Sequence, residues 1–72
     1  EMVRGMVDGL SARLEAEGGP AEDWARLVSS LGVLGETERA GAAYARARDA
    51  FAGDAAALVT LRAAAEQAGV PE

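Results

Sequence analysis

Cysteine and histidine are both absent from this 72-residue chain, which removes disulfides, thiolate chemistry, haem ligation by histidine and every ordinary zinc site. No metal or cofactor is expected, and the redox compartment stays open. Lysine, asparagine and isoleucine are missing too, and all seven basic residues are arginine. Those three types share A/T-rich codons, so the bias reflects genome composition and carries no functional weight. Positive charge is scarce, with twelve carboxylates against seven arginines and a net charge of −5. Phosphate-backbone binding needs a basic face, so nucleic acid is excluded as a partner. There is no signal sequence, no initiator methionine before Glu1 and no apolar run approaching the roughly 20 residues that span a bilayer. The chain therefore reads as one domain, residues 1–72, cut from a longer protein, with any membrane anchor outside it. A core this small supplies only about 3–5 kcal/mol without covalent help, so a marginal monomer is expected.

What the chain does contain is four apolar-periodic stretches separated by glycine and proline, the pattern of short helices joined by tight turns. The first runs over about 3–17, with Val3, Met6, Val7, Leu10 and Leu14 on one face, and stops at Gly18 and Gly19. The second, about 20–34, opens at Pro20 as a first helical residue and carries Glu22 and Asp23 where the dipole favours negative charge. Its stripe is Trp24, Leu27, Val28, Leu31 and Leu34. The third, about 37–52, starts with Thr37 as N-cap, buries Ala40, Ala43, Tyr44, Ala47 and Phe51, and ends by Gly53. Asp54 caps the fourth, about 54–68, which presents Leu58, Leu61 and Ala65, stops at Gly69 and is followed by Pro71. The fold class is all-α: four short antiparallel helices.

An internal repeat underlies them. An offset of 34 residues aligns Trp24 with Leu58, Leu27 with Leu61, Leu31 with Ala65 and Gly35 with Gly69. The same offset pairs Met6 with Ala40 and Leu10 with Tyr44, so the helices alternate B, A, B, A. That period, with Trp24, Leu27, Gly35, Ala40, Tyr44 and Ala47 at their spacing, resembles the tetratricopeptide repeat (TPR) family. The resemblance implies superhelical stacking of a half repeat, a full repeat and a half repeat. Val28 and Leu31 depart from the family's pattern, which prefers a very small residue and a tyrosine there, so looser packing is expected within the pair. Ala52 stands where proline is usual. Arg13 replaces an alanine, marking a face of the first helix that meets solvent or another part of the parent protein.

A longer stretch, RGMVDGLSARLEAEGGPAEDWARL followed by GVLGETERA, is similar to the periplasmic C-terminal TPR segment of CcmI-type (CycH) proteins of c-type cytochrome maturation. The resemblance implies a periplasmic domain of a membrane-anchored chaperone that holds apocytochrome c by its C-terminal amphipathic helix, beside other haem-attachment components. In such stacks the A helices line the concave face. The positions so placed are Glu22, Ala25, Ser29, Gly32 and Val33, with repeat mates Ala56, Val59, Ala63, Glu66 and Gln67. Small residues at that spacing leave a mildly apolar channel for an amphipathic helix, with acidic ends. For any one of these alanines, plain helix propensity is the simpler explanation. Capture of a C-terminal carboxylate by lysine and asparagine is excluded, since neither occurs.

Trp24, Tyr44 and Phe51 are in register with the core stripes, as are Leu27, Leu31, Leu58 and Leu61. A packing role therefore outweighs one as binding anchors. Met6 belongs to a stripe expected to be buried, and Met2 to a fraying end. Glu22 with Asp23, and Glu36 with Glu38, lie at helix starts where solvation keeps carboxylates from acid–base work. Ser29 and Ser30 have no activating base. The chain is read as a non-enzyme. The rival to client binding is an assembly segment that completes the parent's superhelix or mediates oligomerisation without a separate client.

Overall fold

The turn chemistry sets where each helix begins and ends. In a computed structural model, which describes residues 2–70 with side chains for 5–70, these are α1 (Met2–Glu17), α2 (Ala21–Val33), α3 (Thr37–Ala50) and α4 (Ala55–Ala68). Every boundary lies within two residues of the expected one. No strand occurs among the described residues, and the all-α architecture is consistent with TPR-like stacking. The expectations for the Met2 and Val3 side chains and for Pro71 lie outside the described residues.

Three termini differ in detail. Pro20 is the N-cap of α2 rather than its first helical residue, extended at φ −66° and ψ 156°. Its carbonyl accepts the N–H groups of Asp23 at 3.0 Å and Trp24 at 3.4 Å. Thr37 does not cap α3: Glu36 holds that place without a side-chain cap bond, its carboxylate accepting from Arg39 at 3.1 Å instead. Helix α3 stops at Ala50, two residues early, because Phe51 leaves helical geometry at ψ 27° and its carbonyl closes a turn by accepting the Asp54 N–H at 2.9 Å. Asp54 caps α4 as expected, with Oδ1 accepting the Ala57 N–H at 3.1 Å. Asp54→Ala should cost about 1 kcal/mol, lowering the thermal midpoint by roughly 4–8 °C for a domain of this size. Differential scanning calorimetry measures it, and an unchanged midpoint would show that the cap is dispensable.

The 34-residue offset is reproduced in backbone detail. Gly35 and Gly69 are left-handed at φ 78° and 77°, the conformation that favours glycine after a helix. Around them, Glu36 N–H donates to Leu31 O and Val70 N–H to Ala65 O, both at 2.9 Å. The two A helices thus end in the same motif, one period apart.

Helix α2 packs against α4, α3 and α1, and α3 also packs against α4. This makes a layer of α2 and α4 backed by a layer of α1 and α3, and the 15 Å short dimension fits two packed helices. Leu14, Leu27, Val28, Leu31 and Leu61 are the innermost large side chains, joined by Trp24 and Tyr44, with Phe51 and Leu58 packed at the margin. Alanines 40, 43, 47, 64 and 65 complete the core and let the helices approach closely. Val28 and Leu31 are 0% and 1% exposed, so both departures from the repeat pattern are seated in the core.

One expectation fails outright. Met6 is 73% exposed, while its repeat mate Ala40 is fully buried. Helix α1 packs on α2 through Val7 and Leu14, with Leu10 half-buried. Among the described residues, no helix lies on its other flank to cover Met6 in the way that α2 covers Ala40.

Candidate helix-binding surface

Because α2 and α4 repeat at an offset of 34, equivalent positions fall side by side along their shared open edge. On α4, Ala56, Val59, Ala63, Glu66 and Gln67 are all exposed. On α2, Glu22 and Val33 are exposed, whereas Ala25 and Ser29 are half-buried. Val33 at 87% and Val59 at 69% are the apolar side chains that solvent wets most on this strip. Ala25 also packs against the core, so α2 offers a shallower edge than α4.

Gly32, placed in the channel on sequence, has a different role. A Cβ built on it would lie 2.5 Å from the Ala68 Cβ and 2.6 Å from the Ala68 Cα. Gly32 is a point of close approach between α2 and α4, where an added side chain would force the two edges apart. A glycine inside an amphipathic helix was the available signal, but it does not say which neighbour approaches.

Hollows also lie beside this strip. One of about 380 Å³ sits between α1 and α2, lined by Met6, Val7, Gly9 and Leu10 with Arg13, Arg26 and Ser30. Another, of about 220 Å³, lies between α3 and α4 and takes in Tyr44, Arg48, Leu58, Arg62 and, of the strip, Val59. There Arg48 stacks over the Tyr44 ring at 5.3 Å from its centroid, a cation–π contact.

Of the carboxylates expected to be solvated, Glu22 and Glu38 are exposed, and Asp23 and Glu36 are partly covered. Asp23 meets Arg13 at 3.4 Å with its side chain 28% exposed, and Glu36 meets Arg39 with its side chain 20% exposed. Arg39 also donates to Asp8 at 3.0 Å; these hydrogen bonds, that to Asp8 first and that to Glu36 next, raise the guanidinium's pKa above its ordinary value. Asp8 and Asp23 pair between helices, whereas Glu36 pairs within the start of α3. Among the described residues no group of three or more potential ligands is placed to hold a metal ion, and no helix is long and apolar enough to cross a membrane.

The chain is 42% identical over 60 residues to a cytochrome c-type biogenesis protein CycH of Bradyrhizobium diazoefficiens, a match covering 83% of this chain and 16% of that protein. It is 49% identical over 39 residues to the protein of the same name from Rhizobium meliloti, covering 54% of this chain and 10% of the relative. The chain thus spans under a fifth of the length of either relative, and neither name denotes an enzyme. No family profile matches the chain, and no solved structure matches it.

Proposed function

We propose that this domain is a TPR-type protein-binding module of a cytochrome c biogenesis protein, and that its α2/α4 strip holds the C-terminal amphipathic helix of an apocytochrome c. The observation that carries the reading is the wet apolar pair Val33 and Val59, set among the small residues Ala56 and Ala63 and bounded by Glu22 and Glu66. An amphipathic helix laid along such a strip buries its apolar face and meets carboxylates at the ends. The names carried by the two relatives supply the client class. On this reading the domain works in the periplasm as part of a membrane-anchored protein, alongside other haem-attachment components, and performs no catalysis. The absence of cysteine suits a holder of clients with reactive thiols, because it cannot form mixed disulfides with them.

The test is fluorescence anisotropy with a labelled peptide matching an apocytochrome c C-terminal helix and a scrambled control of equal charge. Selective, saturable binding is expected. Val33→Glu with Val59→Glu, two exposed positions that leave the core intact, should weaken it at least about tenfold, roughly 1.4 kcal/mol, with unchanged helicity. Equal binding of the scrambled peptide, or full affinity in the double variant, would remove the strip as the client site. The assembly reading, with no separate client, is favoured by one observation: the uncovered apolar face at Met6.

A further inference from the structure

The hollow between α1 and α2 coincides with the place where the repeat calls for another helix. Shifted by 34 residues, most of its lining falls on the interior of the next repeat, with Val7 mapping to half-buried Gly41 and Arg26 to exposed Thr60. Met6 maps to Ala40, Gly9 to Ala43, Leu10 to Tyr44 and Arg13 to Ala47, all of them buried at 0–7% exposure. Ser30 on α2 maps to Ala64, which is 5% exposed. What buries the α3 residues is chiefly α2. The hollow therefore has the relation to α1 that the space filled by α2 has to α3.

The opposite end of the stack is finished differently. Leu14 and Val28, 2% and 0% exposed, have Arg48 and Arg62 as their mates around the hollow between α3 and α4. Arg48 covers Tyr44 there. A polar outer face of this kind is what terminal repeats carry. The α1 end keeps Met6, Val7 and Leu10 and places arginines only at two points, Arg13 and Arg26. Head-to-tail stacking of two copies would bring the arginines of both ends to one junction, so a second copy stacked in that way is a poor occupant.

We propose that the hollow between α1 and α2 is the seat of a further A-type helix from the same polypeptide: an amphipathic segment with an aliphatic stripe like that of α2 and a carboxylate on the flank facing Arg13 and Arg26. Supply from the same polypeptide follows the internal junction, where α2 reaches its seat on α3 through a connection of three residues, 34–36. A short tether makes docking intramolecular and compensates for a small apolar contact. The relatives, of which this chain spans 16% and 10%, have polypeptide to spare for such a segment. This inference is independent of where the client binds.

The experiment places a second copy of residues 20–36 directly ahead of Val3, the register of the internal junction, in a chain carrying Arg13→Ala to restore the alanine found at its mate. Compared with the unfused Arg13→Ala chain, helicity should rise by the added helix and the thermal midpoint by at least about 4–8 °C. The gain should vanish when the added copies of Leu27 and Leu31 are changed to Asp, or when Met6→Glu and Leu10→Glu are introduced. An added segment that stays unstructured and leaves the midpoint unchanged would overturn the proposal. So would a concentration-dependent dimer of the unfused chain that Met6→Glu dissociates in sedimentation, because the seat would then belong to a second copy.

Discussion

Leu27→Ala should leave the chain largely unfolded at 25 °C. Leu27 is 0% exposed and sits on α2, the helix that packs against all three others. Truncating a buried leucine costs about 2–5 kcal/mol, the transfer term plus the cavity left behind. A domain of this size has only about 3–5 kcal/mol in total, so one substitution at the hub consumes most of it. Exposed Val33→Ala, away from any packing, should change stability by less than about 0.5 kcal/mol. Far-UV circular dichroism with urea titration separates the two. A cooperative transition for Leu27→Ala at nearly the parental midpoint would mean that the core is not organised around α2.

Gly32→Val has the second largest expected effect, and its sign opposes helix propensity. In an open helix, replacing glycine gains up to about 1 kcal/mol. Gly5, with nothing within 4 Å of its built Cβ, should behave that way when changed to alanine. At Gly32 the added atom would meet the Ala68 Cα at 2.6 Å, and backbone cannot swing aside as a side-chain tip does. The two A helices must part, an overpacking cost of typically 1–3 kcal/mol, greater for branched valine than for alanine. The thermal midpoint should fall for Gly32→Ala and fall further for Gly32→Val, and Ala68→Gly should recover part of the loss in a double-mutant cycle. A rise in midpoint for Gly32→Ala would show that α2 and α4 stand farther apart than described.

The helices and their order were legible because each signal was local. Glycines at 35 and 69 mark helix ends by a backbone conformation that favours them, and Asp54 caps through its own side chain. The stripes likewise named Trp24, Leu27, Leu31, Tyr44 and Leu61 as core. What was not legible depends on neighbours. Periodicity shows that Met6 lies on an apolar face but not whether a helix covers that face. Spacing placed Gly32 on the α2 edge but could not show that Ala68 presses on it. Thr37 had the chemistry of a cap, yet helix α3 begins one residue earlier than a Thr37 cap requires, and Arg39 engages Glu36 instead. Arg13, read as marking a face that meets solvent or another part of the protein, does line the uncovered hollow.

Helix α1 is attached to α3 without a shared core of its own. Its links there are Arg39 to Asp8 at 3.0 Å and Arg46 to Glu15 at 3.9 Å, and Arg13 to Asp23 adds a third ion pair, to α2. All three lie at the surface, where dissolved ions screen them: the Debye length falls from about 10 Å at 0.1 M to about 3 Å at 1 M. The apolar contacts of α2, α3 and α4 have no such sensitivity. Ionic strength is therefore a dial on how α1 sits against α3, while its apolar seat on α2 through Val7 and Leu14 stays in place.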